Sequence, residues 1–287
     1  MKKGRYFLLL IGILSSCSNI SNSSNNVTSD TSSDTIEINN TVETWKILED
    51  SIYETTVYKF TSDVPGKKCV IVGGIHGDEV AGWKAALQLK DKRDFVGEVL
   101  LIPQANILAC KREERYPGKV ANAVAVAVNG VKYQDLNRNF PGDPNGNVTK
   151  QIAHEISQTV IDFDPDVVID LHESLRSSSS SYFEEGTSSR LGDLLIYGNS
   201  WTSLFTQTVI EEYNASYLKE GDYPFGTDTY APGNSFNQYF GKLYEERIVL
   251  TIETTRYFNA TKPKDETRRI EQQLELVDLV LKYSQDF

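Results

Sequence analysis

His76, Glu79, His172 and Glu253, together with the pair Asn137-Arg138, fall at the ends of otherwise apolar segments. Two imidazoles and one carboxylate form a ligand set that holds a catalytic zinc and leaves a fourth position for water. A further carboxylate beside such a centre, here Glu253, is the kind of group that takes a proton from that water. The planar fork of Arg138 suits a carboxylate, which it can grip through two parallel bonds. Singly, each residue has a plainer reading. His-x-x-Glu on a turn is commonly a surface pair, His172 a satisfied buried imidazole, Glu253 a solvated strand end, and Arg138 a loop arginine paired with an acid. The chain has only three histidines, and two of them stand at strand ends, so the joint pattern points to a zinc hydrolase with one ion per chain. His154, inside the amphipathic stretch 149–156, is assigned to a helix face instead.

The elements that must position these residues are legible in the hydrophobic pattern. Lys68 to Val72 reads as a buried strand running into Gly73-Gly74 and His76, and Glu79 opens a helical stretch from Val80 to Leu89. His76 and Glu79 thus sit three residues apart at a strand-to-helix turn, where glycines at 73, 74 and 77 let the backbone turn tightly. Asp166 to Leu171 is a second strand with His172 at its carboxyl end, and Arg247 to Ile252 a third ending at Glu253. Open α/β sheets carry their ligand crevice outside the carboxyl ends of the strands, so three distant segments deliver polar groups to one place. Ile270, Leu274, Val277 and Leu281 recur at helical spacing and predict a closing amphipathic helix over 266–283.

These motifs, in this order, resemble the zinc carboxypeptidase superfamily, which includes murein-peptide amidases and the succinylglutamate desuccinylase/aspartoacylase branch. The resemblance runs from about Cys69 to Phe287. It implies a single α/β domain with a central mixed, mostly parallel twisted sheet flanked by helices. It also implies His76, Glu79 and His172 as zinc ligands, and Glu253 as general base and then acid. Asn137 and Arg138, within Asp135-Leu136-Asn137-Arg138-Asn139-Phe140-Pro141-Gly142, match the pair that holds the substrate carboxylate. Arg115 resembles the arginine that polarises the scissile carbonyl, with Arg112 as its rival because residues 118–133 look like an insertion. Tyr230, with Tyr239 in reserve, stands where carboxypeptidases present a tyrosine over the substrate; core packing is an equal alternative for either. Residues 175–190, with five consecutive serines, read as a flap or a plain surface loop.

Lys2, Lys3 and Arg5 precede an apolar run from Tyr6 to Leu14, too short to span a bilayer as a helix and typical of an export signal. The ending Leu14-Ser15-Ser16-Cys17 resembles a bacterial lipoprotein cleavage box, so residues 1–16 are read as a signal peptide and Cys17 as a lipidation site; simple secretion is the alternative. Such an anchor would hold the enzyme at a membrane face, periplasmic or at the cell surface, without making it integral. Residues 17–41 are rich in Ser, Asn, Thr and Asp and read as a disordered tether with a reach of about 25 to 30 Å. Residues 42–287 suffice for one catalytic domain with a full core. Removing residues 1–16 takes away three basic residues and no acidic ones, so 26 basic side chains face 40 acidic ones, a formal charge of −14. An acidic surface of this kind excludes nucleic acid as a partner. Cys69 and Cys110 are read either as a disulfide or as two buried thiols.

The chain runs 34 residues past Glu253, whereas aspartoacylase-like deacylases carry a further β-rich domain there. With the export signal, this favours a metallocarboxypeptidase or murein-peptide amidase of the cell envelope, cutting an amide bond beside a free carboxylate. Against it, Gly146-Asn147-Val148-Thr149 and the following Ile152-Ala153-His154 resemble the deacylase branch, so an N-acyl amino acid deacylase is the alternative. A noncatalytic zinc-containing envelope binding protein is the reading from another class.

Overall fold

A computed structural model describes residues 38–116, 135–174, 192–229, 231–259 and 262–287. In chain order the elements begin with strands β1 (Asn40–Ile47), β2 (Thr55–Ser62) and β3 (Lys68–Gly73), helix α1 (Val80–Leu89) and strand β4 (Glu98–Ile102). Helix α2 (Ile107–Arg112), a single 3-10 turn at Leu136–Arg138, helix α3 (Val148–Phe163) and strand β5 (Val167–Ser174) follow. Strand β6 (Leu194–Tyr197), helix α4 (Trp201–Ser216), strand β7 (Gly226–Asp228), helix α5 (Phe236–Leu243) and strand β8 (Ile248–Thr255) come next. A short ribbon of β9 (Tyr257–Asn259) and β10 (Lys262–Pro263) precedes the last helix, α6 (Glu266–Ser284). β1 starts at Asn40, two residues inside the stretch read as tether, because its pairing with β2 begins at Asn40 opposite Ser62.

Eight strands form one sheet in the order β1-β2-β4-β3-β5-β8-β6-β7. The centre, β4-β3-β5-β8, is parallel, while β1, β2 and β6 join antiparallel. This is the expected mixed α/β sheet. Period-two alternation divides the apolar residues between its faces. Cys69, Ile71, Ile169, Leu171, Leu250 and Ile252 pack beneath α1, α4 and α6. Val70, Val72, Val168 and Val249 face α3 and α5. Central strands buried on both faces read as near-continuous apolar runs, which is why these three were visible in sequence. Continuing the alternation puts Asp170 and His172 on the Val168 face, and Thr251 and Glu253 on the Val249 face. Register then sets His172 opposite Glu253 on neighbouring strands.

Helix α6 departs from the expected face. Its buried stripe is Arg269, Gln272, Gln273, Leu276, Val277, Leu279, Val280 and Ser284. Ile270, Leu274 and Leu281 lie only partly buried at its flank. Apolar periodicity misses this rotation because two polar side chains, Arg269 and Gln273, find buried partners on the sheet. Cys69 and Cys110 are separate buried thiols, each pushed up to about 12 by burial.

Candidate metal centre

β3 ends at Gly73 and hands the chain to a turn that leads into α1. Gly74 has a φ of +75°, and a Cβ on Gly77 would lie 2.0 Å from the Ala109 carbonyl carbon, so both positions require glycine. This turn brings His76 back over the sheet edge and leaves Glu79 at the N-cap position of α1. β5 contributes His172 from the neighbouring strand. The Glu79 carboxylate lies between the two rings, with Oε1 2.7 Å from His76 Nδ1 and Oε2 2.6 Å from His172 Nδ1. Ligand atoms of all three residues lie within 4.8 Å of one another, and all three residues are buried. Among the described residues this is the group of His, Cys, Asp and Glu able to hold an ion.

Each ring has a second carboxylate on its far nitrogen. Asp135 Oδ1 lies 2.9 Å from His76 Nε2, and Asp170 Oδ2 lies 2.8 Å from His172 Nε2. A carboxylate there fixes the tautomer with the proton on Nε2 and turns the Nδ1 lone pair toward the shared centre. Two oriented Nδ1 atoms and one buried carboxylate are a donor set that fits zinc. In the metal-free protein burial opposes the ionised form of Glu79, yet the charges and hydrogen bonds of His76 and His172 hold its carboxyl well below the usual range. Burial likewise favours neutral His172, but Asp170 and Glu79 outweigh it and raise that imidazole well above its ordinary value. A cation at Nδ1 competes with this proton.

Glu253 stands in the opposite condition. Burial, reinforced by the charges of Glu79 and Asp170 and opposed by His172 and Arg115, pushes it up to about 8. Its Oε2 is buried with no hydrogen-bond partner among the described residues. A carboxyl so tuned can hold or release a proton near neutral pH.

Arg115 reaches the centre: its Nη1 donates to Glu79 Oε1 at 2.9 Å and its Nη2 lies 3.9 Å from Asp135. Arg112 is exposed at the end of α2. The Arg138 guanidinium lies 3.9 Å from Asp135 and donates to the Asn137 carbonyl at 2.7 Å. The Asn137 side-chain oxygen accepts from Phe236 N at 2.8 Å, so that end of the amide is spent on the start of α5. Tyr239 packs against Phe240 and the α3–α5 side of the core. His154 stays on α3, partly buried. Tyr230, Cys17, the signal and tether segments up to residue 37, and the stretches 118–133 and 175–190 lie outside the described residues. Asp135 and Asp170 were missed in sequence. Asp170 carried a signal, since it precedes His172 by two on one strand and so shares its face.

Residues 65–191, somewhat under half of the chain, match the family model for the succinylglutamate desuccinylase/aspartoacylase catalytic domain. That range includes His76, Glu79, Asn137, Arg138 and His172 and stops before Glu253. The chain is 34% identical over 110 residues to the N-alpha-acetyl-L-2,4-diaminobutyric acid deacetylase of Halomonas elongata, covering 37% of this chain and 28% of that protein. The matched stretch is thus under a third of the curated relative. A succinylglutamate desuccinylase from Silicibacter sp. TM1040 superposes with a TM-score of 0.57 at 18% identity, covering 85% of this chain and 67% of that one. Product-bound cell shape determinant protein Csd4 from Helicobacter pylori gives 0.59 at 17%, covering 86% and 57%. At such identities the likeness defines the fold.

Proposed function

We propose that this chain is a zinc-dependent amide hydrolase of the succinylglutamate desuccinylase/aspartoacylase family, which removes an acyl group from an amino acid bearing a free carboxylate. The observation that carries this reading is the convergence of His76, Glu79 and His172 with Glu253 beside them on the next strand. The match over residues 65–191 and the deacetylase relative favour acyl removal over the carboxypeptidase or murein-amidase chemistry expected first.

His76, Glu79 and His172 would hold the zinc, which would supply a Lewis acid able to lower the pKa of water to about 7 and to polarise a carbonyl. Asp135 and Asp170 keep both rings oriented for it. Glu253, opposite His172 on the next strand, accepts the proton released as the amide is attacked and passes it to the leaving nitrogen. Arg115 places a fixed charge beside Glu79, where negative charge develops on the substrate oxygen. Arg138 binds the substrate carboxylate and sets its register, with Asn137 holding the turn that presents it.

The wild-type chain, loaded with zinc, is to be incubated with N-acetyl and N-succinyl amino acids, blocked dipeptides and purified muropeptides, and the products weighed. Release of acetate or succinate with the free amino acid is the expected result. Cleavage of peptides alone transfers the site to the second reading, a peptidase of the cell envelope. The basic residues and apolar run before Cys17 favour that second reading, because an exported enzyme meets peptides. Lipidation at Cys17 is part of the proposal: wild type expressed in a bacterial host enters the detergent phase, and Cys17→Ala does not. Turnover of none of these substrates by the zinc-loaded chain leaves the noncatalytic binding reading.

A further inference from the structure

We propose that Arg269 and Gln273, one turn apart on α6, are positioning residues of the metal centre; the inference rests on the zinc reading above. Residues four apart on a helix share a face. Here that face carries an arginine and a glutamine, with Gln272 beside them, where the next turn of the stripe, from Leu276 to Val280, is apolar. Both polar side chains are buried. Burying a guanidinium costs free energy that its ion pair only partly returns, so packing alone would be better served by an apolar pair.

What they hold is the back of the ligand set. Glu173 follows His172 in β5, and alternation turns its side chain to the opposite face, toward α1 and α6. There Glu173 Oε1 accepts from Arg269 Nη1, and Oε2 accepts from the Ala81 amide at 2.8 Å. Ala81 lies two residues beyond Glu79, at the start of α1. The Glu173 amide in turn donates to Glu79 Oε2 at 3.0 Å. Arg269 therefore fixes a residue that grips one ligand segment by its side chain and the ligand carboxylate itself by its backbone. Gln273 acts on the other two segments. Its Nε2 donates to the His172 carbonyl at 2.7 Å and to Thr254 Oγ1 at 3.1 Å, joining the strand of the second histidine to the residue after Glu253. One helical turn thus sets the spacing of α1, β5 and β8 behind the site. Ligand sets held by such outer contacts lose about 10- to 100-fold in metal affinity when a contact is removed.

The test uses the full chain. Zinc dissociation constants are measured by chelator competition for wild type, Arg269→Met, Arg269→Lys, Gln273→Met and the packing control Val280→Ala. Circular dichroism monitors folding, and visible spectra of the cobalt-loaded proteins report coordination. The expected result is a zinc dissociation constant raised about 10- to 100-fold in Arg269→Met and Gln273→Met, with altered cobalt bands. Arg269→Lys recovers part of that loss. Val280→Ala lowers the melting temperature but leaves the dissociation constant and the cobalt bands unchanged. Folded Arg269→Met and Gln273→Met proteins that bind zinc as wild type does overturn the proposal. Should Arg269→Met fail to fold, Gln273→Met decides by the same criterion. A wild-type chain that takes up no zinc overturns the metal reading itself, a result separate from the one in which wild type binds and the variants match it.

Discussion

Glu79 and Glu253 are the same residue type, both buried at one edge of the sheet, yet the turn after β3 and the end of β8 treat them in opposite ways. Glu79 lies between two imidazoles, with Arg115 and the Glu173 amide also on its oxygens. Burial works against its charge, and those partners overcome the cost. Glu253 has the burial without such partners among the described residues and is driven up to about 8. The first is fixed as an anion, fit to hold a cation. The second is left able to exchange a proton. Environments that push paired carboxyls apart assign their roles, and here the assignment follows from how many donors each segment brings.

The sharpest way to break this comparison is Glu253→Gln. The amide keeps the shape and removes the titration, so turnover should fall about 10²- to 10⁴-fold while one zinc per chain is retained. Metal analysis alongside the rate decides the matter: loss of zinc together with activity makes Glu253 part of the ligand set and ends the contrast. Arg115→Ala comes next. It removes a donor from beside Glu79, and kcat should drop by about 10²- to 10³-fold if that charge serves a developing oxyanion. A change confined to KM would move Arg115 to substrate binding. Asp170→Asn tests the anion side. It weakens the partner of His172 Nε2, so zinc affinity should fall about 10- to 100-fold. Unchanged affinity with unchanged turnover would show that the strand alone orients the ring.

The residues that sequence revealed are those that punctuate apolar strands. His76, Glu79, His172 and Glu253 each interrupt or end a run of Val, Ile and Leu, so their convergence followed from the topology of a parallel sheet. Strand β1 gave no such signal, because its residues are exposed along nearly its whole length and no apolar alternation marks them. Asp135 has no periodic element before it to fix its direction, and only the fold carries it to His76. Arg269 and Gln273 were hidden for a different reason. They contradict the apolar stripe from which the helix was read, and their partners on β5 and β8 are about 100 and about 20 residues away in sequence. A pattern built on burial of apolar groups finds the scaffold and the exceptions at strand ends. It does not find polar groups that are buried because something polar waits for them.

The smallest expected effect concerns stability, and it sharpens the same contrast in the metal-free protein. Between its ordinary value of 4.5 and about 8, folded Glu253 holds a proton that the unfolded chain has released. The native state binds more protons in that window, so this group's contribution is largest at the acid end and declines as pH rises through it. His172, raised above 6.5 against the pull of burial by Asp170 and Glu79, acts in the same direction at higher pH. Glu79 has the reverse sign: its lowered carboxyl stabilises the fold above 4.5 and that contribution is lost only as pH falls below it. Glu253→Gln should therefore abolish this residue's share of the descending slope and leave the contribution of Glu79 below 4.5 in place. Denaturant titrations of both metal-free proteins at about pH 5 and about pH 8.5 measure the difference. Wild type should lose more stability than the variant between these two conditions. Equal losses would return Glu253 to the ordinary carboxylate range, and the two glutamates would then differ in position but not in protonation.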